Sequence, residues 1–125
     1  MRLIGILELQ PIYDSRQSFY RKAWTQTQGE TLNLISYETK VLSYDTKKHI
    51  LNLNGAATSS QTTLRHVREF LLQQSITPNN IIVDGKYLKD FSKKSLELLV
   101  NRKIKVDINN VIKNKHNDLL ISKFS

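Results

Sequence analysis

TLNLISYETKVLSYDTKKHILNL (residues 31–53) decides the fold through its order of apolar, β-branched and turn residues. Leu32 and Leu34 point to one side of an extended chain, while Ile35, Tyr37, Thr39 and Val41 alternate to the other. Their β-branched and aromatic character suits a pleated, half-buried strand. Leu42 and Tyr44 carry the strand on, Asp45-Thr46-Lys47-Lys48 supplies turn residues, and Ile50, Leu51 and Leu53 return as its partner. The pattern predicts a hairpin over about 31–53. The same stretch holds one phrase twice, Ser36-Tyr37-Glu38-Thr39-Lys40 and Ser43-Tyr44-Asp45-Thr46-Lys47. A shift of seven is odd, so within one strand the two tyrosines would face opposite sides. Tyr37 is expected in the core against a helix, and Tyr44 where the strand gives way to the turn.

Upstream, Leu3, Ile4, Ile6, Leu7 and Leu9 form a short apolar run ending at Pro11, which reads as a first strand. Downstream of Asn54-Gly55, the hydroxyl-rich run 56–63 leads into a helix over about 62–75, with Leu64, Val67, Phe70 and Leu71 on one stripe and Pro78 beyond it. Ile81-Ile82-Val83 is a brief strand or buried connector ended by Asp84-Gly85. A second amphipathic helix is expected over about 87–101, with Tyr87, Leu88, Phe91, Leu98 and Leu99 inward and Lys89, Lys93, Lys94 and Arg102 away from that face. Residues 103–109 alternate with period two and predict a late strand burying Ile104, Val106 and Ile108. From Asn110 the chain reads as a weak helix and a frayed end. The fold class is α+β: a small antiparallel sheet, made of the hairpin and the N-terminal strand, packed on the first helix. A single domain over 1–125 is expected, with the basic segment 80–125 packed on the rest.

The bulk composition narrows the chemistry. With 125 residues, 39% hydrophobic and 24% charged, the chain can bury a core. It has no cysteine, which excludes disulfides, thiolate metal sites and cysteine nucleophiles and suits a reducing cytoplasm. Glu8 and Gln10 interrupt the first apolar run and no small-residue cleavage site follows, so a secretory leader is not expected. No apolar run approaches the roughly 20 residues of a membrane span. The net charge of +8 is unevenly placed: residues 1–85 hold nine Lys/Arg against seven Asp/Glu, residues 86–125 ten against four. Clustered cations favour a polyanion, because neutralising phosphates releases condensed counterions. A solvated lysine-rich face is the bland alternative.

Ser18-Phe19-Tyr20-Arg21-Lys22-Ala23, Leu34-Ile35-Ser36-Tyr37-Glu38-Thr39-Lys40-Val41, Asn54-Gly55 and the run from Ser60 to Leu71 resemble a family of small phage, prophage and plasmid accessory proteins of Gram-positive bacteria. The shared pattern reads SFYxKA, SYxTxV, NG and SxTTxRHxxEFL, over about residues 16–74. The resemblance implies an accessory protein of a mobile element, acting in the host cytoplasm if phage-encoded, and brings no activity with it.

Candidate chemistry is sparse. His66 beside Glu69 at i+3 allows a general-base pair on the polar side of the helix, but no nucleophile or oxyanion stabiliser is marked. The structural alternative has Thr62 or Thr63 capping the helix, Arg65 paired with Glu69, and His66 packed on Phe70. His49, His66 and His116 are too scattered for a zinc set. Asp84, Asp90 and Glu97 could in principle hold Mg²⁺ but read better as turn and surface residues. The four glycines form no phosphate loop or dinucleotide fingerprint. No catalytic residue, metal or cofactor is therefore expected. Binding residues are Lys86, Lys89, Lys93, Lys94, Arg102, Lys103 and Lys105, with Lys113 and Lys115 continuing the run and Arg65, His66 and Arg68 as secondary candidates. Strand, strand, strand, helix over 18–74 also resembles sheets that some DNA-binding domains place in the major groove. Tyr87 and Phe91 interleave with the lysines, yet both are expected in the core rather than as stacking platforms. The expected function is a non-enzymatic nucleic-acid binder. The alternative is an inhibitor that docks on an acidic host protein such as a defence nuclease; a homodimer is left open.

Overall fold

Alternating side chains make strands, and five consecutive extended segments pair here into an antiparallel meander: β1 (Ile4–Glu8), β2 (Ala23–Gln28), β3 (Thr31–Ser36), β4 (Thr39–Asp45) and β5 (Ile50–Leu53). The computed structural model describes residues 4–108. The remaining elements are α1 (Gln61–Gln73), the small hairpin β6 (Ile82–Val83) and β7 (Lys86–Tyr87), α2 (Lys93–Glu97) and β8 (Ile104–Lys105). β8 returns to the far edge, so the six-stranded sheet runs β1-β2-β3-β4-β5-β8, and the fold is α+β. The expected helix from Asn110, with Lys113 and Lys115, lies outside the described residues, as does the last residue of the expected late strand.

The register explains the core. Leu34, Leu42 and Leu53 stand opposite one another across β3, β4 and β5, and Leu32, Tyr44, Leu51 and Ile104 form the next row across to β8. Between the rows and α1 lie Leu64, Val67, Phe70 and Leu71, all without solvent exposure. Each such side chain contributes about 2 kcal/mol of apolar burial. A register shift after Leu34 leaves Val41 as the extra residue of a bulge in β4, which is why Val41 and Leu42 are buried consecutively.

The hairpin expected over 31–53 is a three-stranded unit. Tyr37 and Glu38, at φ 50° and 72°, form a two-residue turn that splits the supposed continuous strand into β3 and β4. Tyr37 is therefore at the tip and 48% exposed, while Tyr44, expected at the hairpin's end, is in the core at 5%. The Asp45–Lys48 turn is present, built by Asp45 Oδ1 accepting the N–H groups of Lys47 and Lys48. β2 had no counterpart in the apolar pattern. Its Trp24-Thr25-Gln26-Thr27-Gln28 lacks apolar alternation and is held by ladders on both sides and by Asn33 Nδ2, which donates to Gln26 and Gln28.

The helix expected over 87–101 shrinks to one turn. Lys86 and Tyr87 are instead the return strand of a hairpin whose tip is Asp84 (φ 52°) and Gly85 (φ 83°). The helix begins only after Ser92, whose Oγ accepts from Ser95 N–H at 3.2 Å. Ser92 N–H and Ser95 O–H both donate to Asp90, at 3.0 and 2.7 Å, and the Ser95 and Ser92 bonds hold the Asp90 carboxyl down at a pKa of about 2. Leu88, Leu96 and Leu99 are buried but Tyr87 and Leu98 are exposed. Of the late strand expected over 103–109, Ile104–Lys105 pairs as β8; Ile104 and Val106 face inward and Val106 bridges to Ile81, but Ile108, expected in the core, is 43% exposed because the ladder has ended before it.

Candidate functional site

A helix start leaves free N–H groups, and at α1 the hydroxyls that satisfy them extend into the core. Ser60 Oγ accepts from Thr63 N–H at 3.1 Å and donates to Thr63 Oγ1 at 3.1 Å. Thr63 Oγ1 lies 3.0 Å from Ser36 Oγ, which lies 2.8 Å from His66 Nδ1. Each hydroxyl has one proton, and whether Ser36 donates to His66 Nδ1 or accepts from it follows the tautomer of the ring. His66 is wholly buried, and burial, opposed by the charge of Asp14, lowers its pKa to about 4. Its Nε2 has no hydrogen-bond partner among the described residues.

The sequence placed His66 and Glu69 on the polar side of the helix, and both are buried. Glu69 accepts from the backbone N–H groups of Ile12 (2.8 Å), Tyr13 (3.0 Å) and Asp14 (2.9 Å) and from Gln73 Nε2 (2.6 Å). That carboxylate fastens the 9–22 loop over α1 rather than activating His66. Arg65 pairs with Asp14 at 3.0 Å rather than Glu69, and His66 meets Phe19 edge-on at 4.7 Å rather than Phe70. Ser60 caps the helix, not Thr62 or Thr63. Arg68 Nε donates to the carbonyl of Phe91 at 2.7 Å, tying α1 to the C-terminal segment. Arg65 and His66 thus share a neighbourhood, and Arg68 is elsewhere.

A cavity of about 210 Å³ opens beside His66, lined by Arg16, Lys22, Tyr20, Tyr37, Thr62 and Arg65 among others. Three phrases far apart in the chain, Ser18–Lys22, Ser36-Tyr37 and Thr62–His66, meet there. Only Arg65 and His66 of these were candidates from sequence. Their convergence was signalled by the phrases' shared membership of one pattern, not by any spacing.

The seven primary cations are all exposed, and among the described residues Arg102 alone of them forms an ion pair, with Asp84 at 3.3 Å. They do not share one surface depression. Lys86 and Lys89 line a groove of about 380 Å³ with Tyr87, Ser95 and Leu98. Lys103 and Lys105 line another, of about 510 Å³, with His49 and Ile82. Ile82 is the cross-strand partner of Tyr87, so the hairpin stands between the two grooves. Lys93 and Lys94 project from α2 and line neither. Tyr87 is 55% exposed, contrary to its expected place in the core, whereas Phe91 is half-buried against the core.

Asp84 is engaged by Arg102 and Asp90 by Ser92 and Ser95. Among the described residues no three His, Asp or Glu side chains are grouped to hold a metal ion. No helix among them is long and apolar enough to cross a membrane.

Residues 7–95, from the middle of β1 into α2, match the model of a family described as of unknown function, DUF8033. The chain belongs to DUF8033. No curated protein and no solved structure matches it. The DUF8033 span contains the whole His66 cavity and all of the Lys86–Lys89 groove except Leu98, and ends before Arg102, Lys103 and Lys105.

Proposed function

We propose that the protein is a non-enzymatic accessory protein of a mobile element that binds single-stranded nucleic acid through its basic C-terminal face. The observation that carries this reading is Tyr87, more than half exposed on a hairpin and flanked in one groove by Lys86 and Lys89. An exposed ring beside exposed cations offers a base a stacking surface while the lysines take the flanking phosphates. Stacking of this kind is worth about 1–3 kcal/mol per base. In a filter-retention assay at low salt the full chain retains labelled single strands of DNA or RNA, and Tyr87→Ala binds about tenfold more weakly. Absence of retention, or an unchanged Tyr87→Ala, contradicts the proposal.

A second reading is supported by Ile82 and Leu98, 42% and 53% exposed, the first in the groove of Lys103 and Lys105 and the second in that of Lys86 and Lys89. Apolar side chains rimmed by charge suit a protein partner with an acidic surface, as an inhibitor of a host nuclease requires. A pull-down from host lysate that recovers no stoichiometric partner contradicts this second reading.

A further inference from the structure

We propose that the cavity beside His66 is a binding site for a phosphoryl group, carried by a phosphomonoester or present as free phosphate. This inference is independent of the basic C-terminal face. Among the described residues three cations, Arg16, Lys22 and Arg65, line the cavity and no carboxylate does. Asp14 engages only Nη1 of Arg65, which orients the guanidinium and leaves its other N–H donors to a ligand. His66 also lines the cavity, and its buried Nε2 has no hydrogen-bond partner among the described residues.

The walls point the same way. Tyr20 and Tyr37 line the cavity, are 69% and 48% exposed, and both hold left-handed backbone, at φ 54° and 50°. Such conformations cost bulky residues free energy, and nothing in the apolar core requires either ring here. Lys22 Nζ sits 5.5 Å from the Tyr37 ring centroid, which keeps a cation over the mouth. The exposed rings offer the organic part of a phosphomonoester, such as the base of a nucleotide, a face to stack on.

The test is a titration of the full chain, in phosphate-free buffer, with inorganic phosphate, a nucleoside 5′-monophosphate, ribose 5-phosphate and acetate. It is read by calorimetry and by the imidazole ¹⁵N resonances of His66. The expected result is saturable binding of phosphate and the phosphomonoesters, with a shift of the His66 Nε2 resonance. Binding weakens about tenfold in each of Arg16→Ala and Lys22→Ala, both exposed and removable without disturbing the core. Lys47→Ala, on the Asp45–Lys48 turn, leaves it unchanged. Tighter binding of the nucleotide than of free phosphate upholds the proposal and assigns the tyrosines to the base; equal binding upholds it with the phosphoryl group alone recognised. Binding of neither phosphate nor phosphomonoesters, acetate binding as tightly as phosphate, or affinity indifferent to Arg16 and Lys22 overturns it.

Discussion

A histidine ring hydrogen-bonded to a hydroxyl on one nitrogen and wholly buried has little to gain from a second proton. The pKa of His66, lowered to about 4 by burial, becomes a stability signal. Between about pH 6.5 and pH 4 the unfolded chain binds a proton that the folded chain refuses, so stability is full above 6.5 and falls as pH drops towards 4. The full shift corresponds to about 3 kcal/mol. Urea titrations at pH 7.5 and 4.5 should show the wild type losing about 2 kcal/mol on acidification, and His66→Leu losing much less. An equal loss in both proteins would show that His66 is not the group responsible. Sequence marked His66 and Glu69 as noteworthy but put both on the wrong side. A helical-wheel reading counts them as polar, whereas their partners come from Ser36, 30 residues away, and from residues 12–14, more than 50 away. Local spacing carries no trace of such contacts.

Turn chemistry separates what the sequence announces from what it hides. Asp84-Gly85 and Asp45–Lys48 were read as turns because glycine and aspartate state their own backbone preferences. Tyr37-Glu38 makes a turn of the same kind with residues that resist it, and the strand pattern ran straight through. Each left-handed non-glycine residue costs about 1 kcal/mol. Glu38→Gly, at an exposed position lining no cavity, should raise stability by about 1 kcal/mol in chemical denaturation. Destabilisation would mean that the Glu38 side chain has a stabilising role. β2 escaped notice for the opposite reason: nothing in Trp-Thr-Gln-Thr-Gln alternates in hydrophobicity, and its strand state comes from neighbours on both sides. α2 was overextended because Tyr87 and Leu98 fitted an apolar stripe that the Asp84-Gly85 hairpin and the Ser92 cap cut short.

One apolar cluster joins residues from Leu9 to Val106, so residues 81–106 share their core with the meander. Leu53 bridges to Val100, Leu51 pairs with Ile104, and Asn52 Nδ2 donates to the carbonyl of Arg102. The α+β class, the main helix, the burial of Ile104 and Val106 though not of Ile108, and the exposure of the lysines were legible, because each follows from local periodicity or charge. The two grooves and the His66 cavity were not, because each is assembled from segments that meet only after folding. The DUF8033 match supplies membership without activity, so the proposed function is argued from these surfaces. The most direct test of nucleic-acid binding is the salt dependence of single-strand affinity, measured by fluorescence anisotropy for the wild type and for Lys86→Ala/Lys89→Ala. Binding through the basic face predicts log K falling linearly with log salt, and a slope shallower by about 0.7 for each lysine that contacts a phosphate. Affinity that is flat with salt, or a slope unchanged in the double variant, would contradict it.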